Sequence, residues 1–199
     1  MTWLAEADLV ETPRQFFRRH LLRHTATAAD LAWYLEQSVP RYSGSAEVRL
    51  AVEELVDRLG DFLGFTTARQ PGDEFSRWTS PSGHHVAVWT SDEAHCVAAV
   101  AAGGRVRDRL LASLVVPSSE LLTCLYVVCG EVNERRINDG VSLRRATDHA
   151  RVITIDALAG LATRAESASI THDEVVAVLK PASVVADAVI SLLSSPRRR

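Results

Sequence analysis

The sequence predicts an α/β fold: a mixed β-sheet flanked by helices and entered through an N-terminal helical extension. Three observations carry this reading. Val48, Val52, Leu55, Val56, Leu59 and Leu63 recur at spacings of three and four, the period of a helix with one buried face. Short β-compatible runs follow at 65–68, 75–79 and 84–90, separated by Gln70-Pro71-Gly72-Asp73 and the tight turn Ser80-Pro81-Ser82-Gly83. Residues 121–129 then form a continuous valine-rich apolar run, as a strand covered on both faces requires. Alternation of helices and strands around such a run asks for a sheet with helices on both sides.

Taken in order, the first 40 residues are helical in pattern. Thr12-Pro13 supplies an N-cap and a proline at the first helical position, ahead of Phe16, Phe17, Leu21 and Leu22. Thr25 or Thr27 opens a second helix through Leu31, Trp33, Tyr34 and Leu35, which stops before Pro40. The turn-rich segment 40–45 marks the boundary between a helical extension, 1–44, and the main domain, 45–199. Gly64 ends the 48–63 helix. Beyond the hairpin, helices are expected over 94–112 and 131–145, a strand over 151–155, and helices over 156–165, 171–179 and 183–193. Thr171 and Glu174 have the spacing of a capping box.

Composition narrows the function classes. With 199 residues, 47% hydrophobic and 24% charged, the chain suits one folded domain plus an appendage. A net charge of -3 speaks against gripping nucleic acid by bulk electrostatics alone. No run approaches the roughly 20 apolar residues of a membrane span, and the start carries Glu6 and Asp8 rather than the basic residues of a signal peptide. Cys96, Cys124 and Cys129 lack metal-ligand spacing and sit in apolar runs, which reads as buried thiols in a reducing cytoplasm.

Several strings, in their order, resemble the restriction-endonuclease-like, or PD-(D/E)XK, family. Residues 53–65 (EELVDRLGDFLGF) are similar to its first helix leading into its first strand. Residues 78–88 (WTSPSGHHVAV) resemble the central hairpin of one bacterial branch, 125–130 (LYVVCG) its next core strand, and 151–158 with 171–176 its closing elements. The resemblance covers about 47–193 and implies that fold for the main domain. It also implies acidic ligands for Mg²⁺ and a lysine that helps activate water.

Aligning the hairpins on Trp78 and Ser80-Pro81-Ser82-Gly83 puts Phe75 at the family's aspartate position, Trp89 at its glutamate and Ser91 at its lysine. No lysine precedes Lys180, the only one among 22 basic residues. The resemblance therefore implies a degenerate site with no metal cofactor, Trp89 filling its space, in a catalytically inactive protein. Such a protein would act as an interaction or nucleic-acid-binding subunit, in DNA processing or in defence against foreign DNA. The alternative is an active Mg²⁺-dependent nuclease with a rearranged site of Glu54, Glu74 and Glu93, in which Arg77 stabilises charge. Against it, Asp92 and Glu93 suit the N-terminus of the following helix. A third reading is a purely structural oligomerisation module.

Arg105, Arg109, Arg144 and Arg145 are the candidate nucleic-acid contacts, as cations that could converge on phosphates. Arg18, Arg19, His20, Arg23 and His24 form a basic face on the first helix. The aromatic N-terminal segment, with Trp3, Phe16, Phe17, Trp33 and Tyr34, reads either as packing onto the core or as a surface for a homo-oligomer or a protein complex.

Overall fold

The computed structural model describes residues 12–42, 45–69, 74–100, 108, 122–130, 132, 133, 135–137, 139, 150–180, 186 and 190. Helix α1 (Pro13–His24) begins as expected: the Thr12 side chain accepts from the Gln15 amide, and the Gln15 side chain returns to the Thr12 amide. Thr25 closes α1, its hydroxyl donating to the Leu21 carbonyl at 2.7 Å. Of the two threonines considered for the next start, Thr27 takes the role, capping a 3₁₀ turn (Ala28–Asp30) that runs into α2 (Leu31–Ser38). A second 3₁₀ turn (Val39–Arg41) leads to Ser45, which caps α3 (Ala46–Phe62).

Strands β1 (Thr66–Ala68), β2 (Ser76–Thr79) and β3 (His85–Ser91) form an antiparallel meander. Residues 93–100 are helical, here α4. Strands β4 (Leu122–Val128) and β5 (Ala150–Thr154) then add in parallel, giving the sheet order β1-β2-β3-β4-β5. Helices α5 (Ile155–Glu166) and α6 (His172–Leu179) follow, α6 with the Thr171–Glu174 capping box its sequence predicts. All seven residues of β4 are buried, which is why that stretch reads as unbroken apolar sequence rather than as alternation. This is the mixed sheet with flanking helices of the restriction-endonuclease-like fold. No helix among the described residues is long and apolar enough to cross a membrane.

The two faces of the sheet carry separate apolar clusters. On the first, Trp78, Val86, Val88, Leu125, Val127 and Ile153 meet α1, α2, α3, α5 and α6. On the second, Ala87, Trp89, Cys124, Tyr126 and Val152 meet Cys96 and Val100 of α4 and Ile137. Strand alternation produces this division, because successive side chains point to opposite faces. Leu21 of α1 and Leu31 and Leu35 of α2 join the first cluster, so the extension shares a core with α3. Two polar ties reinforce it: the Glu166 carboxylate accepts the Ala28 amide at 2.9 Å, and the Tyr42 hydroxyl donates to the Thr90 carbonyl at 2.6 Å.

Two glycines act by conformation or space. Gly64 takes φ +88° at the end of α3, and the His172 ring fills the place of its absent side chain. Gly60 lets α3 approach the sheet: a Cβ there would lie 2.7 Å from the Trp78 ring and 2.9 Å from the Thr67 methyl. Both neighbours are themselves packed. Gly60→Ala should therefore destabilise the fold by roughly 1–3 kcal/mol, the usual cost of overpacking, read as a lower midpoint in urea unfolding. An unchanged midpoint would mean that the helix–sheet spacing is looser than described.

Candidate functional site

The site the resemblance points to lies on the second face of the sheet. Ser76 pairs with Val88 in the β2–β3 register, so Phe75 is one step beyond that pair, next to Trp89. Trp89 in turn pairs with Tyr126 of β4. The three rings form a row: Phe75 and Trp89 have centroids 5.0 Å apart at 38°, and Trp89 stacks on Tyr126 at 5.2 Å and 17°. Contacts of this kind add attraction beyond the apolar area they bury. The positions aligned with the aspartate and the glutamate are thus neighbours in space, and aromatic rings occupy both.

Ser91 lies two residues past Trp89 on the same face and sits beside the Cys96 thiol, which burial pushes up to about 12. Burial likewise raises the Tyr126 hydroxyl well above the usual phenol range, so it stays neutral. Arg77, opposite Ala87 on this face, holds its guanidinium 5.6 Å from the Phe75 ring centre. A divalent ion of the kind the fold family implies needs hard oxygen donors, mainly carboxylates. Two hydrocarbon-rich rings, a neutral phenol and a serine hydroxyl do not fit that requirement.

The three carboxylates of the rearranged site are held in different surroundings. Glu54 is on α3, on the first-face side, 2% exposed, with Oε1 2.6 Å from Arg14 Nε. Glu74 is exposed, immediately before Phe75. Glu93 opens α4 and accepts from the Asn133 amide at 3.2 Å and from Arg136 at 3.3 Å. Asp92 caps the same helix, accepting the His95 amide at 2.9 Å and His95 Nδ1 at 2.8 Å, and the backbone hydrogen bond lowers its pKa. Among the described residues, no group of three or more His, Cys, Asp or Glu side chains is gathered to hold a metal ion. The candidate phosphate contacts Arg105, Arg109, Arg144 and Arg145 lie outside the described residues.

Sequence reasoning missed a partly buried ionic network on the first face. Three acids of α3, Glu53, Glu54 and Asp57, meet arginines from α1 and from the segment after β1, and Asp61 faces Arg58 of its own helix. Arg14 bridges Glu53 and Glu54; Arg69 lies 3.2 Å from Glu53 and 3.8 Å from Asp57. Asp57 accepts the Trp78 indole N–H at 3.0 Å, and Asp61 accepts the Thr67 hydroxyl at 2.8 Å. Arg18 reaches the Thr67 carbonyl and hydroxyl at 3.3 and 3.1 Å. On α3 these acids lie opposite the apolar stripe, where the sequence reads as a solvated face, so only the packing of α1 onto that side reveals the network.

No family profile and no curated protein matches this chain. The class defined by the topology is the restriction-endonuclease-like fold. Two solved structures share it: the restriction endonuclease FokI, with a TM-score of 0.54 over 84% of this chain, and FokI bound to DNA, with 0.51 over 86%. Identity is 13% in both, and this chain spans about a third of the FokI length, 33%.

Burial, and secondarily the charge of Asp57, raises the Glu54 carboxyl above the usual carboxylate range, while Arg14 and Arg18 oppose the rise. A carboxyl raised on folding favours its neutral form, so its penalty is absent at low pH and appears as pH rises past the ordinary value. Removing Arg14 enlarges that penalty. Arg14→Ala should lower stability by up to about 3 kcal/mol at pH 7, the cost of leaving a buried charge without its partner. Relative to the parent, the deficit should shrink towards pH 4, measured by denaturant titration at both values. An equal deficit at the two pH values would contradict this account of Glu54.

Proposed function

We propose that the chain is a catalytically inactive member of the nuclease fold, acting as an interaction or nucleic-acid-binding subunit. The observation that supports this most is the Phe75–Trp89–Tyr126 row at the locus where the resemblance expects metal-binding carboxylates. Fold alone does not assign function, which resides in the side chains of the site. Here those side chains offer packing in place of metal chemistry. The absence of any lysine before residue 180 points the same way, because arginine stays protonated and cannot replace lysine as a base.

Binding surfaces do not depend on that locus. The DNA-bound state of the FokI structure makes nucleic acid a reasonable class of partner, and a helical extension carrying exposed Phe16 and Trp33 offers a place for protein contacts. A setting in DNA processing or in defence against foreign DNA, and self-association, belong to the same proposal.

The test is cleavage and binding with one preparation. Plasmid, linear single-stranded DNA and RNA should remain intact with Mg²⁺ or Mn²⁺ at high protein concentration. Retention of nucleic acid that weakens steeply with salt would support the binding role. Chelator-sensitive cutting that disappears on Glu54→Ala or Glu74→Ala would sink the proposal and establish a rearranged active site. A stable oligomer with neither activity would favour a purely structural module.

A further inference from the structure

A second cluster lies outside the nuclease locus, where α1 meets α2. His20 and His24 are one helical turn apart on α1 and therefore share a face. Their ring centroids are 4.4 Å apart, with planes inclined at 39°. Tyr34 of α2 brings its hydroxyl to 2.9 Å from His20 Nε2. His24 is exposed, and His20 and Tyr34 are half-buried, so solvent ions reach all three.

We propose that His20, His24 and Tyr34 form a site for a divalent transition-metal ion of the copper–nickel–zinc class, joining α1 to α2. A histidine pair at i, i+4 on one helix face can reach a single ion, and these two rings already lie side by side. With metal–nitrogen bonds of about 2.0–2.1 Å, two imidazoles at a right angle have centroids about 4.5 Å apart. Two donor atoms at the same bond length and angle are separated by about 3 Å. The 4.4 Å between ring centroids is close to the first figure, and the 2.9 Å between His20 Nε2 and the Tyr34 hydroxyl, a hydrogen bond in the metal-free protein, is close to the second. Imidazole nitrogens and a phenol oxygen suit the copper–nickel–zinc class, and Cu²⁺ leads the general order of affinities.

His20 and Tyr34 are held by neighbouring rings. Phe17 stacks against His20 at 6.4 Å and meets the Tyr34 ring edge-on at 6.3 Å, while Trp33 packs edge-on to Tyr34 at 5.0 Å. A preoriented set loses less side-chain freedom on binding. Two neighbouring cations of α1 are engaged elsewhere: Arg18 with Thr67, and Arg19 over the Phe16 ring at 5.8 Å. The ion would displace the His20–Tyr34 hydrogen bond and release protons, since imidazole must be neutral to ligate.

The test uses the full chain titrated with Cu²⁺, and separately with Zn²⁺, by calorimetry and electron paramagnetic resonance. One equivalent of Cu²⁺ should bind, with nitrogen hyperfine structure and tighter than Zn²⁺. His20→Ala and His24→Ala should each weaken it by about tenfold or more, and Tyr34→Phe by a smaller factor, of the order seen when supporting groups are removed. His24 is exposed, so His24→Ala should leave the metal-free melting temperature unchanged and separate ligation from folding. His95, which is exposed beside Asp92, supplies the control. Loss of binding in His95→Ala with retention in the His20 and His24 variants would overturn the proposal, as would the absence of one-equivalent Cu²⁺ binding in the parent.

Discussion

Asp57 accepts the indole N–H of Trp78 where neither side chain meets water, and much of the first face follows from that contact. A buried carboxylate must be met by donors, since leaving it unsatisfied costs several kcal/mol. Trp78 supplies one, and Arg69 stands on the other side. The helix approaches closely enough because residue 60 is glycine. Once α3 is seated, Glu53 and Glu54 face α1, and Arg14 and Arg18 draw that helix onto them. The extension is therefore held by charge as well as by Leu21, Leu31 and Leu35, which share the core beneath it.

The second face has a different character. The same strands that present Trp78, Val86 and Val88 to α3 present Phe75, Trp89 and Tyr126 to the other side. Antiparallel pairing of β2 with β3 and parallel pairing of β3 with β4 place these three in one row, whatever their chemistry. Acids at the first two positions would make a metal-binding corner. With rings, the same backbone makes a packed apolar surface flanked by Arg77 and Ser91. The fold and the chemistry are thus separable, and the residue types at two strand positions decide between them.

Much of the fold was legible because its signals are local. Thr12-Pro13, Gly64 and the Thr171–Glu174 pair mark helix ends by the hydrogen bonds or dihedral angles they require. The valine-rich run of β4 marks its own burial. Register was legible through Trp78 and the Ser80–Gly83 turn, and it brought Phe75 and Trp89 together. Phe75 lies just outside β2 rather than within it, a difference at a strand end where pairing stops. What escaped the sequence depends on non-local packing. Arg14 and Glu54 are 40 positions apart, and nothing local says that they meet. His20 and Tyr34 belong to helices whose mutual angle is set by the core, so a basic face and an aromatic segment were read separately where the structure joins them.

The central claim is that the locus on the second face binds no catalytic divalent metal, and Mn²⁺ tests it directly. Its unpaired electrons broaden the resonances of nearby nuclei, those of the residues that hold the ion most of all. In an isotope-labelled sample, the Trp89 indole N–H and the amides of residues 75, 89 and 91 should keep their intensity as Mn²⁺ is added to millimolar concentration. Selective, chelator-reversible broadening of those signals would place a metal at the locus and contradict the account.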